Sequence, residues 1–105
     1  ALDLVVLGLG EDGHVASLFP GFPALAETER RFVAAELCPK PPPLRITLTP
    51  RVISAADRVL VLAAGARKAD AVRRAFAPEG SPELVPARLA RDGLWMVDAA
   101  AGSEL

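Results

Sequence analysis

The fold is decided by LVVLGLGEDGH, residues 4–14. Residues 4–7 are a continuous apolar run with two valines, a pattern that predicts a strand buried on both faces of a parallel sheet. The run ends at Gly8-Leu9-Gly10 and is followed by a polar turn, Glu11-Asp12-Gly13-His14. Three glycines in six positions permit tight backbone turns and let a ligand approach main-chain N–H groups without obstruction by a Cβ atom. We therefore expect a strand followed by a ligand-binding turn.

The rest of the chain alternates strand patterns with helix patterns. Polar and apolar residues alternate over 45–49, which predicts a strand with one polar face, and Pro50 suits the first turn of a helix with Thr49 as its N-cap. A run of four apolar residues, 59–62, predicts a second buried strand before the turn at Gly65. The predicted strands are 4–7, 32–37, 45–49, 58–64 and 94–97, and the predicted helices are 15–19, a short one within 23–31, 50–56, 66–77, 81–90 and a frayed one capped by Asp98. This alternation favours an α/β domain of three layers.

Length and composition indicate one globular domain over residues 1–105. Apolar residues make up 51% of the chain and charged residues 24%, a balance that can bury a core. The formal net charge of −1 supplies no field that would attract nucleic acid or an anionic membrane, so neither is an expected partner. Cys38 has no cysteine to pair with, and no signal-peptide or membrane-spanning pattern occurs, so we expect a cytoplasmic location. The chain opens in a strand-like run without an initiator Met, which suggests a fragment.

His14 is the candidate catalytic base. It is the only histidine of the chain, and histidine is the side chain whose unperturbed pKa lies near neutrality, so it can take a proton from water. Asp12, two residues earlier on the same turn, is placed to fix the tautomer of His14 or to stabilise its charged form. The spacing alone is equally compatible with a histidine on the surface or at a helix cap.

Two basic residues are candidates to bind an anion. Lys68 falls at the start of a predicted helix, where backbone N–H groups and the helix dipole already favour negative charge. Arg45 begins a predicted strand, where a guanidinium can clamp a phosphate with two parallel hydrogen bonds. Each residue is also explained as an ordinary solvent-facing cation. Trp95, within the last predicted strand, fits a core position better than a platform for a sugar ring.

A dinucleotide-binding turn is the first alternative for the glycine-rich segment, because it also follows a strand. That fingerprint requires a third glycine opening a long helix and an acidic residue about 20 positions later. Here Asp12 and His14 occupy the loop where those features should be. The pattern therefore favours a different phosphorylated or carbonyl-bearing ligand.

Residues 7–21, LGLGEDGHVASLFPG, closely resemble the signature of the 6-phosphogluconolactonase family, which usually has Thr where Val15 stands. The resemblance continues in order along almost the whole chain, through 39–42, 45–49, 66–69 and 86–89. The related glucosamine-6-phosphate isomerases share the glycine-Asp-Gly-His core but usually continue with Asn-Glu-Pro-Gly. The segment from Ser17 to Gly21 therefore favours the lactonase branch.

The resemblance implies a three-layer αβα sandwich with a mostly parallel, Rossmann-like sheet, truncated at its N-terminus. It also implies hydrolysis of 6-phosphoglucono-1,5-lactone to 6-phosphogluconate in the oxidative pentose phosphate pathway, without a metal or organic cofactor. By the same resemblance His14 is the base and Asp12 supports it. The backbone at Gly8, Gly10 and Gly13 lines the lactone site, and Arg45 and Lys68 hold the 6-phosphate.

The family pattern is incomplete in these residues. Complete members carry an N-terminal half with a Ser-Gly-Gly sugar-phosphate loop and an Arg-bearing acidic motif, and neither occurs here. The resemblance thus implies the C-terminal portion of a larger lactonase domain, with an exposed sheet edge that favours self-association. Two alternatives stay open: a sugar-phosphate binding fragment without catalysis, and an isomerase or deaminase of glucosamine 6-phosphate.

Overall fold

A three-stranded parallel sheet organises the protein in the computed structural model, which describes residues 1–105. The strands are β1 (Leu4–Gly8), β2 (Phe32–Ala35), β3 (Arg45–Leu48), β4 (Arg58–Ala63) and β5 (Leu94–Val97). The helices are α1 (Pro50–Ala55) and α2 (Ala69–Phe76), and 3-10 turns occupy Pro23–Ala26, Ala66–Lys68 and Pro86–Ala90. The sheet has the order β1-β4-β5, while β2 and β3 form a separate antiparallel pair. The α/β fold expected from the sequence is therefore confirmed.

The parallel pairing brings the turns of the site together. Strand β1 pairs in parallel with β4, with Gly8 opposite Leu62, and β4 pairs in parallel with β5. The carboxyl ends of neighbouring parallel strands meet at one edge of the sheet, where ligand sites of open α/β sheets form. The turn after β1 and the turn that leads from β4 into α2 consequently lie side by side.

The hydrophobic core lies on one face of this sheet. Val5 and Leu7 of β1 and Val61 of β4 point into a cluster with Val72 and Ala75 of α2. The alternate residues of β1 point away, and Val6 remains 53% exposed. The expectation that β1 is buried on both faces is therefore wrong within these residues, because helices cover only one side of the strand.

Several local predictions also differ from the structure. Residues 15–19 form a tight turn instead of a helix, with Ala16 at a φ of +52° and the amide of Leu18 donating to the carbonyl of Val15. The predicted helix at 81–90 is a turn followed by the 3-10 segment from Pro86, and the residues after Asp98 form turns without a helix. Thr49 occupies the N-cap position of α1 as predicted, but its side chain makes no capping hydrogen bond, because its hydroxyl donates instead to backbone carbonyls of the segment before β2. Each difference arises from a contact distant in sequence or from a turn that propensity does not encode.

Other predictions are confirmed. Trp95 packs edge-on against Phe76 at 4.7 Å between ring centroids, and its indole N–H donates to the carbonyl of Ala90 at 2.9 Å. It is thus a packing residue at the rim of the core. None of the helices has the length and apolar character needed to cross a membrane.

Candidate active site

The turn after β1 is closed by its own backbone. The amide of Gly10 donates to the carbonyl of His14 at 2.9 Å, and the amide of Gly13 donates to the carbonyl of Gly10 at 3.0 Å. Gly13 has a φ of +89°, a conformation that a residue with a side chain rarely adopts. The carbonyl of Gly13 accepts the amide of Ala87 at 2.9 Å, which ties the turn to the 3-10 segment Pro86–Ala90. The sequence from Gly10 to His14 is therefore a fixed platform.

Asp12 and His14 form a hydrogen-bonded pair on this platform. Oδ1 of Asp12 lies 2.5 Å from Nδ1 of His14 and also accepts the backbone N–H of His14 at 3.0 Å. A carboxylate at Nδ1 favours the tautomer that carries its proton there and leaves Nε2 as the acceptor. Burial by itself raises the pKa of Asp12. The hydrogen bonds from His14 and the electrostatic influence of His14 and Lys40 outweigh burial and hold that pKa below its ordinary value.

The imidazole of His14 is packed against Gly10 and Phe19. A Cβ atom at Gly10 would lie 2.0 Å from Nδ1 and 2.1 Å from Cε1 of His14, so only glycine lets the ring approach this backbone. The ring of Phe19, itself 1% exposed, lies 4.4 Å away between centroids. The side chain of His14 keeps 16% of its surface exposed. The ring is thus held firmly while a small part of its surface stays open to solvent.

The three predicted site glycines contribute in different ways. The amides of Gly10 and Gly13 are used inside the turn, so they are not free donors for an oxyanion in this conformation. Gly10 serves by admitting the imidazole, and Gly13 by its backbone conformation. A Cβ atom at Gly8 would meet no atom within 4 Å, so Gly8 leaves open space at the carboxyl end of β1.

Lys68 reaches the site from the neighbouring turn. It ends the 3-10 segment Ala66–Lys68 that leads into α2, and its ammonium donates to the carbonyl of Leu9 at 2.5 Å. The amide of Gly65, at the head of this segment, donates to both carboxylate oxygens of Asp98 at 3.1 and 3.2 Å. The residue after β5 therefore anchors the turn that carries the lysine.

Arg45 lies behind the site, next to Ser17 and Phe19, and is heavily engaged. Its Nε donates to the carbonyl of Pro42, and its Nη2 donates to the carbonyls of Lys40 and Pro41, each at 3.0 Å. Its Nη1 lies 3.4 Å from the hydroxyl of Ser17. A guanidinium has five N–H donors, so these contacts leave one. The two-pronged phosphate clamp expected from the sequence therefore has too few free donors in this arrangement.

Lys40 completes the site and was not singled out by the sequence analysis. A cleft of about 410 Å³ at the carboxyl end of β1 is lined by Lys40 and Lys68 together with His14. Gly8, Leu9, Gly10 and Ala16 form the rest of its wall. A signal for Lys40 was available, because the chain contains ten arginines but only two lysines, and both lie at this cleft. The structure thus brings the single histidine, its carboxylate partner and both lysines to one place.

Comparison with known proteins gives a consistent result. The family profile described as glucosamine-6-phosphate isomerases/6-phosphogluconolactonase matches residues 1–97. A 6-phosphogluconolactonase of Streptomyces coelicolor is 47% identical over a region that covers 100% of this chain and 41% of the relative. The chain therefore spans well under half the length of this curated relative.

Solved structures agree with the sequence comparison. A 6-phosphogluconolactonase from Leishmania guyanensis has a TM-score of 0.84 at 36% identity, with 98% of this chain and 41% of that chain covered. A monomeric glucosamine-6-phosphate deaminase of the NagB superfamily has a TM-score of 0.79 at 26% identity, covering 98% of this chain and 48% of its own. With the family profile matching nearly every residue, this chain belongs to the family of glucosamine-6-phosphate isomerases and 6-phosphogluconolactonases.

Proposed function

We propose that this chain carries the catalytic base and part of the phosphate site of a hydrolase that converts 6-phosphoglucono-1,5-lactone to 6-phosphogluconate, a step of the oxidative pentose phosphate pathway. One observation carries the proposal. His14, hydrogen-bonded to Asp12, lines a cleft that both lysines of the chain also line. A general base next to concentrated positive charge suits a neutral carbonyl substrate that bears a phosphate.

The proposed chemistry begins at Nε2 of His14. This atom takes a proton from a water molecule while the water oxygen attacks the lactone carbonyl carbon, which forms a tetrahedral oxyanion. Collapse of that intermediate breaks the bond between the carbonyl carbon and the ring oxygen, and the ring oxygen receives the proton from Nε2. Asp12 stabilises the transient imidazolium through the 2.5 Å contact. General base catalysis of this kind contributes about 10²–10⁴-fold.

The phosphate is proposed to lie against Lys68, whose ammonium keeps two N–H groups after donating to Leu9. A lysine at the start of a helix adds its charge to the favourable end of the helix dipole. Participation of Arg45 in phosphate binding stays a prediction, with a single N–H left for it.

A deaminase or isomerase of glucosamine 6-phosphate is the second candidate, because the matched family includes such enzymes and one such solved structure superposes well. The lactonase is favoured by residues 17–21 and by the curated relative of 47% identity. A sugar-phosphate binding protein without turnover is the third. We further propose a single α/β unit over residues 1–105 that forms the C-terminal part of a larger domain, acting in the cytoplasm.

The test is the rate of lactone hydrolysis, with the lactone generated in situ and corrected for spontaneous opening. It is measured for this chain, for the complete polypeptide encoded around it, and for His14→Ala in both. We expect His14→Ala to lower kcat by about 10²–10⁴-fold. Ammonia release from glucosamine 6-phosphate with no lactone turnover would replace the proposal by the deaminase. Ligand binding without either reaction would leave a binding protein.

A further inference from the structure

We propose that Lys40 is a second cation for the substrate phosphate and that Arg45 acts as the positioning residue that holds it at the cleft. This inference rests on the proposed function, since it names a residue of the same site. It gives Arg45 a role different from the direct phosphate contact expected from the sequence.

The loop that carries Lys40 has few backbone hydrogen bonds to fix its shape, and one of them, from the amide of Cys38 to the carbonyl of Pro43 at 2.9 Å, closes its base. Residues 39–43 read Pro-Lys-Pro-Pro-Pro, so four of the five have no N–H to donate. The guanidinium of Arg45 supplies donors in their place, binding the carbonyls of three consecutive residues, Lys40, Pro41 and Pro42, at 3.0 Å each. The planar, rigid fork of arginine suits this task, and a lysine could not reproduce it.

The guanidinium of Arg45 also contacts residues that pack near His14. Its Cζ atom lies 5.4 Å from the ring centroid of Phe19, and its Nη1 faces the hydroxyl of Ser17. Phe19 in turn packs against the imidazole of His14 at 4.4 Å. Arg45 therefore links the proline-rich loop to the elements that hold His14, which fixes where Lys40 stands relative to the base.

Lys40 itself is free to meet a ligand. Its ammonium makes no hydrogen bond or ion pair with any protein group, whereas that of Lys68 donates to Leu9. It lines the same cleft as Lys68 and His14, and its charge is near enough to help lower the pKa of Asp12. Two ammonium groups at one cleft are a suitable cradle for a phosphate dianion, which lysine binds as a point charge.

The experiment uses the complete encoded polypeptide and separates KM from kcat. Lys40→Met removes the charge and keeps the aliphatic stem. We expect it to raise KM for the phosphorylated lactone by about 10- to 100-fold, the range for one hydrogen bond between charged groups, with kcat changed less than about threefold. Hydrolysis of glucono-1,5-lactone, which lacks the phosphate, should keep its kcat/KM, and Lys40→Arg should restore most of the affinity. Arg73→Met on the exposed face of α2 is the matched control.

A double-mutant cycle tests the positioning role. If Arg45 acts through Lys40, then Arg45→Met raises KM as Lys40→Met does, and combining the two adds little. If the increases in KM of the two single variants multiply in the double variant, the positioning role is overturned. A loss of kcat alone in Arg45→Met would also overturn it. Arg45→Lys, which keeps the charge but not the fork, serves if Arg45→Met fails to fold. It should raise KM part of the way, and wild-type KM in this variant would also overturn that role.

Failure of the inference is distinguishable from failure of the proposed function. An active wild type with unchanged KM in Lys40→Met would overturn the role of Lys40 and leave the lactonase intact. If the wild type turns over no lactone, calorimetric titration with 6-phosphogluconate tests whether Lys40 contacts the phosphate. Binding that Lys40→Met weakens would uphold the phosphate contact without the reaction, whereas equal binding in both proteins, or none in the wild type, would overturn it.

Discussion

Oδ1 of Asp12 accepts two hydrogen bonds from the same residue, one from the backbone N–H of His14 at 3.0 Å and one from its Nδ1 at 2.5 Å. The first bond fixes the turn, and the second fixes the orientation and proton of the ring. One carboxylate oxygen thereby couples the conformation of the loop to the chemistry of the base. This contact is local, and it occurs between residues two apart in sequence.

Asp12→Asn should lower kcat by about 10²-fold while leaving KM nearly unchanged. The amide of asparagine can donate to Nδ1, which would place the imidazole proton on Nε2 and remove the acceptor that faces water. The measurement is steady-state hydrolysis of the lactone by the complete polypeptide. Glu11→Gln, an exposed carboxylate on the same turn, is the control and should behave as wild type. A kcat within twofold of wild type for Asp12→Asn would contradict the pairing.

Gly10→Ala should abolish most of the activity without unfolding the protein. The added Cβ would lie 2.0 Å from Nδ1 of His14, so the imidazole must leave its place and lose Asp12. The ring signals of His14 in NMR spectra should shift. Gly102→Ala is the control, since its Cβ meets Val97 at 3.3 Å far from the cleft. Unchanged His14 signals in Gly10→Ala would refute the steric argument.

Much of this site was predictable from the sequence, and the reason is its locality. The apolar run at 4–7 and the turn that follows lie within one short segment, so periodicity and glycine spacing place His14 and Asp12 on the turn after β1, where the structure has them. The same reasoning places Lys68 after β4, the strand next to β1 in the sheet. The position of Lys40 was not predictable in this way, because three carbonyls of its loop accept hydrogen bonds from a side chain of the next strand.

Asp98→Asn should destabilise the protein at neutral pH and have less effect in acid. The amides of Ala101 and Gly65 donate to Asp98 and hold the pKa of its carboxyl below the ordinary value. A carboxyl whose pKa is lower in the folded state stabilises the protein at pH values above its unfolded-state pKa of about 3.9. That stabilisation is lost as the pH falls through the folded-state pKa. Thermal unfolding of both proteins at pH 7 and in acid measures it. A Tm difference that grows on acidification would contradict the assignment.

Arg88→Met should lower the free energy of unfolding by about 1–3 kcal/mol, the cost of leaving carbonyls without a donor. Nη1 of Arg88 donates to the carbonyls of Arg74, Ala75 and Ala77 at the end of α2. No backbone amide donates to these three carbonyls. Urea unfolding measures the change. The control Arg73→Met removes exposed ion pairs to Asp70 and Glu104 and should change the free energy of unfolding much less. Equal losses in both variants would show that Arg88 is an ordinary surface cation.

The 105-residue chain should self-associate through the uncovered face of its sheet. Val6, Leu62, Leu94 and Met96 are between 45% and 65% exposed, and the strand register places them on one face. Contiguous apolar surface of this kind favours association. Sedimentation over a range of concentrations measures it, and Val6→Thr with Leu94→Thr should shift the population toward monomer. A monomeric wild type at high concentration would contradict the prediction.

Exposed apolar strand surface is expected for a sheet without its neighbours, but the strand patterns alone do not say which face is exposed. The apolar residues of 4–7 and 59–62 are compatible with burial on both sides, and only the position of the helices decides which side is covered. The turn at 15–19 was missed for a related reason. Its residues suit a helix, but Ala16 adopts a positive φ while the amide of Ser17 is held by the hydroxyl of Thr47 from a distant strand.

The confinement of the His14 ring between Gly10 and Phe19 has an entropic consequence. A side chain packed in this way samples few rotamers, so the ordering of the base is completed when the protein folds and is not repeated at each turnover. Little reorganisation then separates the resting site from the transition state. Looser packing around Phe19 would therefore appear as slower chemistry at unchanged substrate affinity, and as a larger entropic barrier in the temperature dependence of the rate.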